Sequence, residues 1–358
     1  MKESARQFRE RKRSHIAVAL SPETQVNGKA RALLDEIELI HEALPDVNLD
    51  QISMERTFFG YRAQVPLYIS SMTAGHSKGV TINRRLARAA QEFGWMMGVG
   101  SQRRELNDPA ASKEWKIVRK VAPKACLLGN IGITQLIDTP VETIEQLIDH
   151  LEARALFVHL NPLQEALQPE GTPYFSGAIQ ALERLVKRLS VPVIVKEVGC
   201  GISVQTVRRL VEVGVQIIDV AGLGGTHWGR VEGLRAATNK RGYRYRFDVS
   251  LAFWNWGIST VESLLQIKRE NVSCQVWASG GVRTGVDAAK LIALGAQAVG
   301  IAQPLLQAAL KGEQALFELM KTISEQLRIA LFVTGCSHIN DLNERKVKYG
   351  ILRVNEFC

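Results

Sequence analysis

From residue 65 onward the chain alternates short apolar runs with segments whose apolar residues recur at three and four. Spacing at three and four predicts helices with one buried stripe; short runs without it predict strands buried on both faces. Eight runs read as strands: Pro66–Ser70, Met96–Val99, Ala125–Leu128, Ala155–Leu160, Val191–Lys196, Gln216–Val220, Gln275–Ala278 and Ala298–Ile301. Thr81–Phe93, Val204–Val213 and Asp287–Leu294 are among the helices between them. Each strand runs into a Gly, Ser or polar loop. Such units, about 25–35 residues apart, are the signature of a parallel sheet, and eight of them predict a closed (β/α)8 TIM barrel. An open doubly wound sheet would want G-x-G-x-x-G after its first strand, which Ser70-Ser71-Met72-Thr73-Ala74-Gly75 does not supply.

The pattern ahead of the barrel differs. Residues 1–64 read as an N-terminal extension contributing to the active site, with a helix over Lys29–Glu42. A strand or hairpin at Thr57–Tyr61 would cover one barrel mouth. Residues 65–358 then form the barrel with C-terminal helices, giving one domain overall. Gly222–Ser250, rich in Gly and Arg, reads as an extended loop above the active face.

The fourth strand carries the densest candidate chemistry. In Val158-His159-Leu160-Asn161-Pro162-Leu163-Gln164-Glu165, four polar side chains follow a buried run, ahead of Pro169-Glu170-Gly171. Alternation along a strand puts His159 and Asn161 on one face. Chemistry in α/β barrels gathers at that C-terminal end. For any one of these residues a hydrated loop is the plainer reading; the group together points to a site.

Composition changes the picture little. Hydrophobic residues make up 46% and charged residues 23%, ordinary for a globular chain, and no run of eighteen apolar residues suggests a membrane span. The charged start, Met1-Lys2-Glu3-Ser4 through Lys12-Arg13, lacks the apolar core of a secretory signal, so a cytoplasmic location is expected. Cys126, Cys200, Cys274, Cys336 and Cys358 show no C-x-x-C spacing, which fits reduced thiols. The net charge of +9 suits nucleic acid or a phosphate-bearing ligand. No RNA-binding signature accompanies its clusters at Arg9–Arg13 and Lys240–Arg246, so no nucleic-acid partner is expected.

Two further motifs favour the phosphate. Ser279-Gly280-Gly281-Val282-Arg283-Thr284-Gly285 follows the seventh strand, and Gly300-Ile301-Ala302-Gln303 closes the eighth. Glycines there let backbone amides approach an anion beside a helix N-terminus, though a tight turn would read the same. Lys196 adds a cation at the barrel mouth, suited to the N1 and O2 side of a reduced flavin or to a Schiff base. Ser71, Thr73, Ser101 and Asn130 could hydrogen-bond around the same ring.

Taken in order, the motifs resemble one family, the FMN-dependent type 2 isopentenyl-diphosphate isomerases. The matching pieces are Arg11-Lys12-x-x-His15-Ile16, Ile69-Ser70-Ser71-Met72-Thr73, Gly100-Ser101-Gln102-Arg103, Gly129-Asn130-Ile131-Gly132 and His159 through Glu165. They continue through Pro169-Glu170-Gly171, Val195-Lys196-Glu197-Val198-Gly199, Gly224-Gly225-Thr226-x-Trp228, Trp256-Gly257-Ile258 and Ala278-Ser279-Gly280-Gly281-Val282-Arg283. The chain departs from the family's pattern at Ser14, Ala74, His76, Thr172, His227 and Gln303, none of them a proposed catalytic group.

The resemblance implies a cofactor, FMN, held by Ser71, Met72, Thr73, Ser101, Asn130, Lys196, Thr226, Gly281, Val282, Arg283, Ala302 and Gln303. It implies that Arg11, Lys12, Ser101, Gln102 and Arg103 contact the diphosphate of isopentenyl or dimethylallyl diphosphate, with His15, His159, Asn161, Trp228 and Glu232 completing the pocket. Gln164 would stand beside the allyl group and Lys196 beside the reduced flavin as the catalytic pair, and Glu165 would bind Mg2+. NADPH as reductant and a homo-oligomer, tetramer or octamer, whose N-terminal arm reaches a neighbouring pocket, are further implications. An FMN-dependent hydroxy-acid oxidase or nucleotide dehydrogenase shares the phosphate loops; the latter needs a Cys in the Gly222–His227 loop, which has none. A basic binding module leaves Lys196 and the His159–Glu165 cluster without a purpose.

Overall fold

Runs such as Leu67–Ile69 and Met96–Gly98 are buried at every position, and only a sheet covered on both faces can hold them. The computed structural model describes residues 5–26, 32–72, 79–238 and 244–349. Ahead of the barrel come helix α1 (Ala5–Ala19) and strands β1 (Ile37–Leu39), β2 (Arg56–Phe58) and β3 (Tyr61–Ala63). The barrel strands are β4 (Leu67–Ile69), β5 (Met96–Gly98), β6 (Cys126–Gly132), β7 (Ala155–His159), β8 (Val193–Lys196), β9 (Ile217–Asp219), β10 (Gln275–Ser279) and β11 (Ala298–Ile301). They pair in parallel and close between β11 and β4, so the expected (β/α)8 barrel forms from the eight expected runs. A last strand, β12 (Val347–Tyr349), pairs antiparallel with β1.

Side-chain alternation splits the strands between two cores. Leu67, Ile69, Met97, Leu156, Val158, Val195 and Val299 face the surrounding helices. Tyr68, Met96, Leu128, Phe157, Ile194, Ile217, Trp277 and Ala298 fill the barrel. Tyr68, Phe157 and Trp277 pack together, with centroids 5.1 Å apart for Tyr68–Trp277 and 5.9 Å for Tyr68–Phe157. Two residues further along each strand the inward position changes character: Ser70, Gly98, Asn130, His159, Lys196, Asp219, Ser279 and Gly300. An apolar floor thus carries a polar tier, and the tier opens on the strands' C-terminal mouth.

The opposite mouth is plugged. The β2–β3 hairpin inserts Phe58 against Trp277, centroids 5.5 Å apart, and Arg56 donates to the carbonyl of Gln297 at 2.6 Å. That agrees with the hairpin expected at Thr57–Tyr61.

Two expectations fail. Within Lys29–Glu42 the described residues form a 3-10 turn (Leu34–Glu36) and then β1, not a helix. Leu33, Leu34, Ile37 and Ile40 carry helix-like spacing, but pairing with β12 decides the conformation. Gly222–Ser250 is not one extended loop either: it contains helices Trp228–Thr238 and Arg244–Leu251. Its glycines serve packing. A Cβ at Gly229 would lie 2.9 Å from Leu163, and one at Gly233 would collide with Ser250.

Candidate active site

The polar tier forms the bottom of an open cleft at the strands' C-terminal ends. All the strand-end loops contribute, and α1 lies across the top, bringing Arg11, Lys12 and His15 into the lining. The segment expected to be a polar arm is therefore a helix, with Arg11 and His15 buried. It lies over the cleft of its own chain. His15 Nε2 lies 2.7 Å from Glu232 Oε1 and packs edge-on against Trp228 at 5.3 Å. Burial lowers the pKa of His15 to about 4, the Glu232 carboxylate holding against it. The neutral ring therefore donates to Glu232.

Beneath the cleft lies a buried carboxylate. Asp219 accepts from Tyr68 Oη at 2.5 Å, from Ser279 Oγ at 2.9 Å and from the N–H of Ala221 at 3.1 Å. Burial first, and then Asp219, raises the Tyr68 phenol, so it stays protonated as the donor. Lys196 is the register partner of both His159 and Asp219. Its Nζ donates to the Glu197 carbonyl at 2.5 Å. Burial holds Lys196 below the ordinary lysine value, with Asp219 and Glu197 pulling it back. Glu197 in turn accepts three consecutive amides, Val198, Gly199 and Cys200, at 2.6, 2.7 and 2.5 Å. Burial raises its pKa to about 7 against these bonds.

On the β7 side, Asn161 Nδ2 donates to Gln164 Oε1 and to Glu165 Oε1, each at 3.0 Å. Gln164 Nε2 reaches Glu232 Oε1 at 3.3 Å, and Glu165 Oε2 accepts the Thr172 amide at 2.6 Å. The Thr172 departure is thus harmless here, because the backbone makes the bond. His227 is equally structural: its Nε2 lies 2.9 Å from the Trp256 carbonyl and its Nδ1 accepts the Arg230 amide at 3.2 Å.

Most of the expected residues come together. Arg11, Lys12, His15, Ser71, Met72, Ser101, Arg103, Asn130, His159, Asn161, Gln164, Glu165, Lys196, Thr226, Trp228, Gly281, Val282, Arg283, Ala302 and Gln303 all line the cleft. Gln102 does not: its amide turns into the wall, donating to Glu105 at 3.1 Å and to the Leu147 carbonyl at 2.9 Å while accepting the Asn130 amide. Glu232 stands behind the lining as partner to His15 and Gln164. Thr73, Ala74 and His76 lie outside the described residues. Gln135, Gln168 and Pro304 also line the cleft and stand in none of the motifs, and Ser279, which stands in one, was given no role. For Ser279 the signal was available in the inward alternation of its strand.

The lining fits a flavin mononucleotide. Ser71 Oγ is buried against the cleft and among the described residues has no hydrogen-bond partner, an arrangement that costs stability unless a ligand completes it. Gly280 and Gly281 take φ of 101° and 86°, turning backbone toward the cleft as few other residues could. The helix Gln303–Lys311 starts there with no side-chain cap; Pro304 has no N–H and the Leu305 amide donates to the Ala302 carbonyl, so this end offers an anion the Gln303 amide and the helix dipole. For a metal the donor set is thinner: among the described residues no three of His, Cys, Asp and Glu cluster together. Glu165 fits Mg2+ only with water and phosphate oxygens as the other ligands, which is this ion's habit. Among the described residues no helix is long and apolar enough to cross a membrane.

Comparison with known proteins places this geometry. Residues 167–349 match the FMN-dependent dehydrogenase family. Similar folds include a flavocytochrome b2 variant with benzoylformate, at TM-score 0.68 and 17% identity over 94% of this chain and 82% of that one. A mandelate oxidase variant with (S)-mandelic acid has TM-score 0.61 and 18% identity over 98% and 100%. Fold and site define the class: an α/β barrel of the FMN-dependent type. Closer relatives cover nearly the whole chain. The isopentenyl-diphosphate delta-isomerase of Bdellovibrio bacteriovorus is 53% identical over 97% of this chain and 99% of its own. That of Legionella pneumophila (strain Corby) is 49% identical over 95% and 97%, and that of Halobacterium salinarum 42% over 94% and 92%. The chain belongs to the isopentenyl-diphosphate delta-isomerase family, and it is an isomerase.

Proposed function

We propose that the chain interconverts isopentenyl and dimethylallyl diphosphate by a 1,3-allylic proton shift, with reduced FMN as the acid–base group, Mg2+ as the ion on the diphosphate and NADPH as reductant. The observation that carries this reading is one cleft lined both by Gly280, Gly281 and the uncapped helix start at Gln303 and by the cations Arg11, Lys12 and Arg103. FMN in its reduced form supplies weakly acidic and basic ring positions without net redox change.

The chain's own groups do the rest. Lys196 provides a desolvated positive charge that favours an anionic reduced ring. Arg11, Lys12, Ser101 and Arg103 bind the diphosphate through charge-assisted hydrogen bonds, about twice as strong as neutral ones. Glu165 offers carboxylate to the magnesium, and Asn161 fixes its direction. Gln164, held from both sides by Asn161 and Glu232, positions the allyl group; an amide is too weak a base to take the proton by itself. Helix α1 covers the substrate and excludes water. A homo-oligomer is part of this reading.

The test is anaerobic turnover. Isomerisation, followed by proton NMR of the substrate, should appear when bound FMN is reduced by NADPH or dithionite, with no reductant consumed per turnover. Full activity with oxidised flavin, or with none, overturns the reading.

A further inference from the structure

One hydrogen-bond chain in the cleft wall fixes a proton. Asn130 Nδ2 donates to the carbonyl of Val99 at 3.1 Å. A carbonyl only accepts, so the amide cannot be flipped, and Asn130 Oδ1 must be the atom 2.7 Å from His159 Nδ1. The Asn130 backbone is held as well, its N–H donating to Gln102 Oε1 at 3.2 Å. Because Oδ1 is an acceptor, His159 Nδ1 carries the hydrogen. In the neutral ring Nε2 then bears only a lone pair. No protein group among the described residues satisfies Nε2, and His159 lines the cleft. A phosphate oxygen is itself an acceptor, so a neutral His159 in this tautomer repels the group that the proposed function gives it to bind.

We infer that His159 binds the substrate diphosphate as an imidazolium, taking up a proton from solvent when the substrate arrives, because Asn130 locks Nδ1–H and leaves protonation of Nε2 as the route to a phosphate bond. The inference rests on the diphosphate reading above. In the free protein burial, followed by the charges of Lys196, Lys12 and Arg103, lowers His159 to about 3, so the ring arrives neutral. Holding about one proton at pH 7.5 needs a pKa above about 8 in the complex, so protonation must become more than about 10⁵-fold more favourable there. One phosphate charge about 4 Å away, at the effective dielectric suited to protein sites, contributes about 10³-fold. A diphosphate carries enough charge to complete the change and to offset the three cations.

The measurement is calorimetric binding of isopentenyl diphosphate to the holoenzyme with oxidised FMN and Mg2+, which binds without turnover. Titrations in HEPES and in Tris at pH 7.5 yield the protons exchanged. The expected result is uptake of about one proton per site, and an association constant that falls as pH rises from 7.5 to 8.5, where the phosphates are already ionised. In His159→Gln the side-chain amide can donate without a proton, so uptake should drop by about one while substrate still binds more weakly. Absence of uptake in the unaltered enzyme overturns the inference. So does uptake that persists in His159→Gln, which would assign the proton to another titratable group of the cleft wall, His15, Lys196, Glu197 or Glu232. A holoenzyme that does not bind isopentenyl diphosphate at all sinks the isomerase reading itself.

Discussion

At the scale of single residues the site runs on buried groups whose charge is set by neighbours. His15 is an instance with a measurable consequence. Its pKa in the folded protein, about 4, lies below the ordinary 6.5, so the unfolded chain binds the proton first as pH falls. Stability tied to His15 is complete above pH 6.5 and is lost as pH drops toward 4. At pH 5 that loss is roughly 2 kcal/mol. His15→Gln should therefore flatten the fall in Tm between pH 7 and 5; an unchanged profile would show that the His15 ring is not held neutral. Glu197, raised to about 7, works in the opposite sense over the same window, so the comparison must be between variant and parent. Adjacent residues in the β7 loop should separate cleanly in function. Gln164→Ala should cut turnover at least tenfold while the flavin spectrum stays unchanged. Glu165→Gln should instead raise the magnesium concentration needed for half activity; equal magnesium dependence would remove Glu165 from the ion's ligands.

Elements tell where sequence reading succeeds. The barrel strands were legible because full burial makes them short apolar runs, and the floor-to-tier change marks their ends: Phe157 then His159, Ile194 then Lys196. Strand β1 was not, since its conformation depends on β12, which no local window contains. The helix Trp228–Thr238 was hidden by Gly229 and Gly233, which read as turn formers but admit neighbouring side chains. Gln102 was misread because its 3-10 turn sends consecutive side chains in different directions, Ser101 and Arg103 toward the cleft and Gln102 into the wall. Helix α1 can be tested by removal. Deleting residues 1–13 takes away Arg11 and Lys12 but keeps His15, so KM for isopentenyl diphosphate should rise tenfold or more with the FMN spectrum intact. Normal KM would reduce the helix to a cover. The hairpin plug at the other mouth should behave oppositely: Phe58→Ala should cost about 3–5 kcal/mol in urea unfolding and leave KM alone.

For the whole molecule, the net charge of +9 is informative only through where it gathers. Arg11, Lys12, Arg103, Lys196 and Arg283 converge on one cleft. A cleft of one sign raises the local concentration of an anionic substrate, and salt screens that effect over about 10 Å at 0.1 M. Raising ionic strength from 0.05 to 0.5 M should thus lower kcat/KM several-fold with little change in kcat. A kcat/KM indifferent to salt would mean that short contacts alone recruit the substrate.

The β1–β12 pair also has a meaning for synthesis. At ordinary ribosomal speeds roughly 15–60 s separate the emergence of Ile37 from that of Val347. During that interval Ile37 and the buried Ile52 and Met54 have no finished surface to rest on, because Ser53 pairs with Ser337 and His338. Until β12 emerges, β1 and the segment around Ser53 lack the partners that hold them in the folded protein, so they are the elements that settle last.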